Sequence, residues 1–261
     1  MGQASGIWIG GEGQTVPEEQ QEQLDLQGLR SELRQPVKTL GELLLELAGE
    51  NLRSLVIFGL AVTDQFDPKK MRIQSVAVLE RMDLGMLNVL RMRGIKLGKQ
   101  GLQAPLIMTP QYIDASRDVF PIELLEIQQL HVLVYGTDLF ADLQFGRADM
   151  RLQCERELKR GLIQLRQGLL AAATRDKVLT EVALAAAEHA VRVLRAILWL
   201  KQRACPAGPA ETVDAAESAL EMKLRGLRAA LVAEIPTDFA AFEALYNDVE
   251  SLARWVDEFK V

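Results

Sequence analysis

The chain has 261 residues, 49% of them hydrophobic, which is enough to bury a core in one large domain or two modest ones. Its net charge of −6 and pI near 5.2 argue against a dedicated nucleic-acid binder, because such proteins normally carry a basic excess. Two cysteines without CxxC spacing indicate neither a disulfide framework nor a zinc site. With no membrane-length apolar run and no signal-peptide pattern, we expect a cytoplasmic protein without a membrane partner.

The first 35 residues are glycine-rich and then polar, with clustered Glu and Gln. This composition predicts a mobile N-terminal arm over residues 1–35. Trp8 and Ile9 would offer a contact for a neighbouring chain, although a disordered tail is the favoured interpretation. The two histidines, His131 and His189, are expected to be packed residues rather than ligands.

An amphipathic helix is predicted over residues 37–52, with Thr39 as a candidate cap. The apolar run at 54–58 ends at Gly59 and predicts a buried strand, as does the run at 73–79. Between them, residues 63–70 (TDQFDPKK) have the Asp-Pro pair and charges of an exposed turn.

The next segments mix predicted helices and strands. We expect a helix over 84–93, a turn region over 94–101, a strand over 104–108 and a two-turn helix capped by Thr109. FPIELLEI (120–127) predicts a fourth strand and HVLVY (131–135) a short fifth one. Strands and helices mixed over about 100 residues predict an α/β sheet domain.

From about residue 146 the pattern becomes purely helical. Four apolar stripes at helical spacing, over 158–169, 178–200, 213–231 and 242–259, predict an up-and-down four-helix bundle. The overall prediction is an α+β protein with a sheet domain over 36–146 and a helical bundle over 147–261.

A helix, a strand that ends in glycine, a loop and a second strand resemble the start of the nucleotidyltransferase domain of the DNA polymerase β superfamily. The segments LIMTPQYIDASRDVFPIELLEIQQLHVLVYGTDLF and RLQCERELKRGLIQLRQGLL are similar to later parts of bacterial proteins of that kind. The likeness covers roughly residues 37–260. It implies a nucleotidyltransferase-like mixed sheet with flanking helices, followed by the bundle.

An active member of that family holds two magnesium ions with carboxylates and the outer phosphates with the backbone of a Gly-Ser turn. Gly59 matches the glycine, but Leu60 stands where the serine is expected. Arg72 and Gln74 stand where the family has Asp-x-Asp. The departures predict that two-metal nucleotidyl transfer has been lost and that no cofactor is required.

Three other carboxylates are candidate catalytic residues if the chain is nevertheless active, in which case Mg²⁺ would be the cofactor. Asp64 and Asp67 lie in the loop, although an Asp before Pro68 is more often a turn former. Glu123 is the candidate for the third carboxylate, and on a strand it would face the side opposite to Glu126.

The candidate ligand-binding residues surround the same loop. They combine the glycine turn with nearby polar and basic residues: Gly59, Leu60, Lys69, Lys70, Arg72 and Gln74. Lys96 and Lys99 would extend the basic rim that these residues form. Such a rim suits a nucleotide or another phosphate-bearing ligand, whereas a merely solvated charged surface is the simpler interpretation.

Three functional hypotheses remain open. The first is a catalytically inactive nucleotidyltransferase-fold protein that binds a nucleotide or anion, or acts as a scaffold through a homodimer or another protein partner. The second is a metal-dependent transferase with a rearranged carboxylate site. The third is one member of a toxin–antitoxin-like pair.

Overall fold

The structure, a computed structural model, describes residues 23–232 and 238–260. Trp8 and Ile9 lie outside the described residues, as does most of the predicted arm. The remainder of that arm is ordered into the fold, because Leu29 and Leu33 are buried and helix α1 (Ser31–Ala48) begins before residue 35.

Helix α1 starts six residues earlier than the sequence predicted. Pro36 lies inside it, and Thr39 is not a cap, since its hydroxyl donates to the carbonyl of Gln35 within the helix. The longer helix follows from a stripe of buried residues that packs α1 against the sheet and begins at Leu33. Its members recur at the helical period: Leu33, Val37, Leu40 and Leu44.

Four strands form a mixed sheet in the order β3-β2-β1-β4 within the described residues. The strands are β1 (Leu52–Phe58), β2 (Gln74–Leu79), β3 (Leu106–Met108) and β4 (His131–Gly136). Strand β1 runs antiparallel to β2 and β4, whereas β3 runs parallel to β2. The strands predicted at 54–58, 73–79, 104–108 and 131–135 are therefore present with small shifts of their ends.

Helix α2 (Leu84–Lys99) begins at Asp83, whose carboxylate accepts a hydrogen bond from the Met86 amide. The turn predicted over 94–101 is wrong, because the helix continues through Gly94 and Gly98. Leu90 and Leu97, seven residues apart, are both buried on one side of α2, so tertiary packing overrides the weak helix propensity of glycine.

The fourth strand, predicted over 120–127, is also wrong. After the short helix α3 (Pro110–Ala115), which Thr109 caps as predicted, the chain forms helix α4 (Pro121–Gln129). Pro121 occupies its first turn, where the missing N–H costs no intrahelical bond, and Glu123 lies in the same turn near the positive helix end.

The remaining helices form a helical region after the sheet. They are α5 (Arg147–Ala172), α6 (Asp176–Leu200), α7 (Pro209–Leu220), α8 (Arg225–Val232) and α9 (Phe239–Glu258). The third predicted helix is divided in two, since Glu221 adopts a left-handed conformation and the Glu217 carboxylate accepts the Leu224 amide. The Asp238 carboxylate caps α9 by accepting the Ala241 amide.

The two faces of the sheet pack against different helices. Leu55, Ile57 and Ala77 face α1 and α2, whereas Val56, Val76 and Val78 face α3 and α4. On its other side α4 places Ile122 and Leu125 in the core of the helical region. The molecule is thus layered as helices, sheet, helices and helical region, which confirms the predicted α+β class and its mixed sheet.

Candidate functional site

The glycine turn lies at one end of the sheet. Gly59 has φ +72°, which favours glycine, and it begins a 3₁₀ turn over Gly59–Val62. A Cβ atom on Gly59 would lie 2.7 Å from Oε1 of Gln74. The predicted turn residue and the residue in the second Asp-x-Asp position are therefore in close contact.

Gln74 belongs to a row of three residues across neighbouring strands. Phe58 of β1 pairs with Gln74 of β2 on one side and with His131 of β4 on the other. Paired residues project to the same face, which here is the face that packs against α3 and α4. Gln74 is the one member of this row that stands in an Asp-x-Asp position of the family resemblance, and none of the three residues is a carboxylate.

His131 is held by two acceptors rather than left free. Its Nε2 lies 2.9 Å from Asp138 Oδ2, and its Nδ1 lies 3.2 Å from the Gln128 carbonyl oxygen. The hydrogen bond to Asp138 raises the pKa of His131, although burial opposes the change. With both ring nitrogens engaged, His131 is suited to anchoring the loop after β4 rather than to accepting a substrate proton.

Asp138 completes that anchor. Its Oδ1 accepts the backbone amides of Phe140 and Ala141. Burial alone would raise the pKa of Asp138, but the hydrogen bonds from His131 and the two amides outweigh it and hold the pKa below its usual value. Sequence reasoning missed this pair, because the seven-residue separation of its members carries no motif.

Arg72 does not face the glycine turn. Its guanidinium donates to the carbonyl oxygen of Gly98 at 2.6 Å, near the C-terminal end of α2. The structure therefore separates the predicted ligand residues into two groups. Gly59, Leu60 and Gln74 lie at the turn, whereas Lys69, Lys70 and Arg72 line a cleft beside α1 and α2.

This basic cleft has a volume of about 520 Å³. Lys69, Lys70, Arg72 and Lys99 line it, and all four are exposed. Its remaining wall is largely apolar and comes from α1, the loop and the start of β2: Leu33, Pro36, Phe66, Pro68, Met71 and Ile73. Lys99 joins the cleft as part of the predicted rim, whereas Lys96 is absent from its lining.

The cleft has one acidic neighbour, Glu32. Its carboxylate lies 2.5 Å from the Arg30 guanidinium, and that guanidinium also donates to the Thr63 carbonyl at 3.1 Å. Backbone hydrogen bonding and Arg30 lower the pKa of Glu32, so the carboxylate is ionised but compensated by its partner. The four cations therefore dominate the charge facing the cleft.

The three candidate carboxylates have separate surroundings. Asp64 is exposed, and Asp67 accepts the Lys69 amide at 2.9 Å, as a turn former does. Glu123 Oε2 accepts from Gln153 Nε2 at 2.6 Å. Over residues 23–232 and 238–260, no group of three or more His, Cys, Asp or Glu residues is arranged to hold a metal ion, so these carboxylates do not fit a two-magnesium site.

Glu123 and Glu126 do not face opposite sides of a strand, because both lie on α4 three residues apart. Burial raises the pKa of Glu126, while Arg192 and Arg195 oppose that shift. The nearest ion-pair distance, from Glu126 Oε2 to Arg192 Nη1, is 3.9 Å. Both glutamates therefore serve the contact of α4 with the helical region.

His189 and the cysteines also lie in the helical region. His189 Nε2 is 3.2 Å from Glu157 Oε2, yet burial and Arg192 lower the pKa of the imidazole. Both thiols are free, and burial raises the pKa of Cys154 to about 12 and that of Cys205 to about 11. Such thiols are poor nucleophiles and poor metal ligands.

The loop after the glycine turn contacts the helical region directly. Gln65 Nε2 donates to Glu211 Oε2 at 3.1 Å, and a Cβ on Gly208 would lie 2.0 Å from Gln65 Nε2. Gly208 precedes α7 and Glu211 lies in its first turn. Residues 146 positions apart thus fix the loop against α7.

No protein-family model matches the chain, and no curated protein matches it. The matching solved structures include the crystal structure of spectinomycin adenyltransferase AAD(9) from Enterococcus faecialis with ATP and spectinomycin. That structure has a TM-score of 0.54 and 12% sequence identity, over 86% of this chain and 99% of that chain.

At this identity the likeness establishes the fold and not the activity. The chain has a nucleotidyltransferase-like fold, with a mixed sheet, flanking helices and a helical region after them. Within the described part of the chain, no helix combines the length and apolar character needed to cross a membrane.

Proposed function

We propose that the protein binds a phosphate-bearing ligand of the nucleotide class in its basic cleft and does not catalyse metal-dependent nucleotidyl transfer. The observation that carries the proposal is the convergence of Lys69, Lys70, Arg72 and Lys99 on one cleft of about 520 Å³. A volume of this size lies in the range of small-molecule sites. The fold likeness to an adenyltransferase crystallised with ATP supports a nucleotide over other anions.

The lining of the cleft fits both parts of a nucleotide. Lysine and arginine side chains bind phosphate oxygens through charge-assisted hydrogen bonds. Leu33, Pro36 and Phe66 supply an apolar wall against which a base could pack. Because the cations are exposed, we expect modest affinity that falls as salt is raised.

The proposal of inactivity depends on which residues stand in the positions where the family resemblance expects metal and phosphate ligands. Leu60, Arg72 and Gln74 replace the residues that the family resemblance requires, and Arg72 is turned towards Gly98. Asp67 and Glu123 are engaged by the Lys69 amide and by Gln153. The hydrogen-bonded oxygens of these two carboxylates belong to the loop turn and to the contact of α4 with α5, respectively, and not to a shared cluster of carboxylates.

Calorimetric titration of the full chain with ATP, with and without Mg²⁺, tests the binding proposal. We expect binding in the absence of Mg²⁺, and a loss of about tenfold or more on Lys70→Ala with Arg72→Ala, equivalent to about 1.4 kcal/mol. Lys223→Ala is the matched control, since Lys223 is an exposed cation outside the cleft. Equal affinity in the double variant and the control would show that the cleft is not the site.

A separate assay tests inactivity. The chain is incubated with Mg²⁺, labelled ATP and aminocyclitol or protein acceptors, and we expect no transfer of the label. Transfer that Glu123→Gln or Asp67→Asn abolishes would overturn inactivity and favour the active transferase, without affecting the binding result. The cytoplasmic location, the boundary near residue 146 and the toxin–antitoxin alternative stay predictions.

A further inference from the structure

The outward face of helix α2 carries a stripe of exposed aliphatic side chains. Leu84 is 73% exposed, Met92 73% and Ile95 79%. At about 100° per residue, these three positions fall within about 80° of one another around the helix axis. Leu90 and Leu97, which pack in the core, fall on the opposite side of the same helix. The stripe is therefore separate from the packing of α2 against the sheet.

The second half of α2 projects into solvent. Every residue from 91 to 96 is exposed, whereas Leu90 before this segment and Leu97 after it are buried. A Cβ atom on Gly94 would have nothing within 4 Å. Leu84 and Ile95 are eleven residues apart, which is about 16 Å along the helix axis. The stripe is therefore accessible to a broad surface over about three helical turns.

Cations lie on both sides of the stripe. Around the helix axis Arg91 falls on one side of it and Lys96 on the other, and Lys99 follows one turn after Ile95. Helix α2 contains four basic residues and no acidic one, a net charge of +4, whereas the rest of the chain carries −10, since the total is −6. This separation of charge orients α2 towards a negatively charged surface.

The carboxylates close to α2 have partners of their own. Asp83 caps the helix through an amide of its first turn, and Glu80 Oε2 lies 3.2 Å from Arg53 Nη1. Helix α1 packs beside α2, and on it Glu42 Oε1 lies 3.7 Å from Lys38 Nζ. The four cations of α2 therefore set the charge of its outward face.

The composition of this face discriminates between its possible occupants. Helix α2 has no aromatic residue, so it offers neither the stacking that single-stranded nucleic acid uses nor the aromatic anchors of most protein interfaces. A second copy docked through the same face would bring like charges together. Aliphatic side chains flanked by lysine and arginine suit the headgroup region of an anionic lipid bilayer.

We propose that the outward face of α2 docks on the surface of an anionic lipid bilayer. Leu84, Met92 and Ile95 enter between the headgroups, while the cations extend their aliphatic stems along the stripe and place their charges on the lipid phosphates. A helix that lies in the plane of the interface needs no membrane-spanning segment, so the expectation of no membrane partner, which rested on the absence of one, does not bear on this contact. A single helix of this kind binds weakly and reversibly.

Sedimentation of the full chain with lipid vesicles tests the proposal. We expect binding to vesicles of phosphatidylcholine and phosphatidylglycerol in equal parts to be at least about tenfold tighter than binding to phosphatidylcholine alone, and to weaken as salt is raised. Equal binding to the two kinds of vesicle overturns the proposal. So does the absence of binding to the mixed vesicles, which would leave the face to an acidic protein.

Met92→Ser with Ile95→Ser tests the stripe and should weaken binding to the mixed vesicles by about tenfold, because two exposed aliphatic side chains are lost. The matched control is Leu170→Ser with Val232→Ser, at positions 81% and 65% exposed on α5 and α8, and it should bind as the natural chain does. All four side chains are exposed, so thermal unfolding should be similar in both variants. No loss in the first variant, or an equal loss in both, overturns the proposal.

Arg91→Glu with Lys96→Glu tests the charge without altering the stripe. This variant should lose the preference for phosphatidylglycerol. Lys177→Glu with Arg203→Glu makes the same change in net charge at exposed positions outside α2, and it should retain most of the preference. Equal loss in the two charge variants would show that net charge alone governs binding and would overturn docking through α2.

The basic cleft is the other place where a lipid phosphate could bind, and Lys99 belongs to both surfaces. Lys70→Ala with Arg72→Ala, which removes two cations of the cleft, should therefore leave vesicle binding unchanged while it lowers the affinity for ATP. Met92→Ser with Ile95→Ser should do the reverse. Loss of vesicle binding in the cleft variant would assign the lipid to the cleft and overturn the proposal, whereas failure of ATP to bind the natural chain would leave it standing.

Discussion

Gln74 lies over Gly59, with its Oε1 only 2.7 Å from the position that a Cβ on that glycine would take. The contact joins the end of β1 to the beginning of β2. It also occupies the space beside the turn that the family resemblance reserves for ligand binding. Gln74, which stands in an Asp-x-Asp position of the family resemblance, is therefore part of the packing of the turn itself.

Gly59→Ala should destabilise the protein for two separable reasons. The positive φ of +72° costs an alanine about 1–3 kcal/mol, and the new methyl group displaces the Gln74 amide. In a Gln74→Ala background the second cost disappears and the first remains. Urea denaturation of the two single variants and the double variant measures the coupling between them.

Gly94→Ala is the matched control for that series. Gly94 lies in exposed helix α2 with nothing within 4 Å of an added Cβ, so the change should stabilise by about 0.5–1 kcal/mol. If Gly59→Ala were as harmless as this control, the conformational restriction at the turn would be wrong.

Gln153→Ala should cost about 1–3 kcal/mol, because Gln153 is a buried side chain with two obligatory partners. Its Oε1 accepts the Ile122 amide at 2.7 Å and its Nε2 donates to Glu123. Gln153→Glu keeps the acceptor but sets two carboxylates together, so its loss should be greater at pH 8 than at pH 4. Chemical denaturation at both pH values checks this, with exposed Gln164→Ala on the same helix as the control.

Asp138→Asn should reduce stability by about 1 kcal/mol, mostly in a limited pH range, since the lost bond is charge-assisted but partly exposed. The pKa of His131 is raised from 6.5, so the stability that protonated His131 adds to the folded state is fully present below pH 6.5. That stability is lost as pH rises through the folded pKa. The pKa of Asp138 is lowered from 3.8, so its contribution is complete above 3.8 and is lost at lower pH. The largest difference from the natural chain should therefore fall between these two values.

Stability measured from pH 3 to pH 9 tests that window. Asp142→Asn, an exposed change in the same loop, should give a nearly constant difference. A loss for Asp138→Asn that grew as pH rose above 7 would contradict the sign of the His131 shift.

Glu126→Gln should stabilise the protein at pH 8 and change little at pH 4. Burial raises the pKa of Glu126 above 4.5, so the ionised carboxylate costs folding free energy once pH exceeds the folded pKa, and glutamine removes that cost. Thermal unfolding at the two pH values measures the difference. Exposed Glu46→Gln should be neutral at both, and destabilisation by Glu126→Gln at pH 8 would show that the pairing with Arg192 outweighs burial.

The strands at the centre of the sheet were readable from sequence because each ends in a short apolar run rich in β-branched residues, LVIF (55–58) in β1 and VAVL (76–79) in β2. The segment FPIELLEI (120–127) was misread as a strand, since a short and largely apolar segment satisfies both strand and helix patterns. Its proline at the first helical turn was the signal that could have decided between them.

The candidate site was only partly predictable for a different reason. Lys69, Lys70 and Arg72 are close in sequence, and their common location follows from a short loop. Lys99 joins them because α2 returns to the start of β2, where the amide of Ile73 bonds to the carbonyl of Gly101. The pairs His131–Asp138 and Gln65–Glu211 likewise depend on tertiary packing that no local pattern encodes.

Two consecutive residues at the start of β2 contribute to two different surfaces, the basic cleft and the face that carries the glycine turn. Ile73 forms part of the wall of the basic cleft, and Gln74 projects to the other face against the glycine turn. Because a strand sends neighbouring side chains in opposite directions, neither surface needs the other's side chains. A side chain on one side of this strand can therefore change without any rearrangement of the sheet that supports the other side.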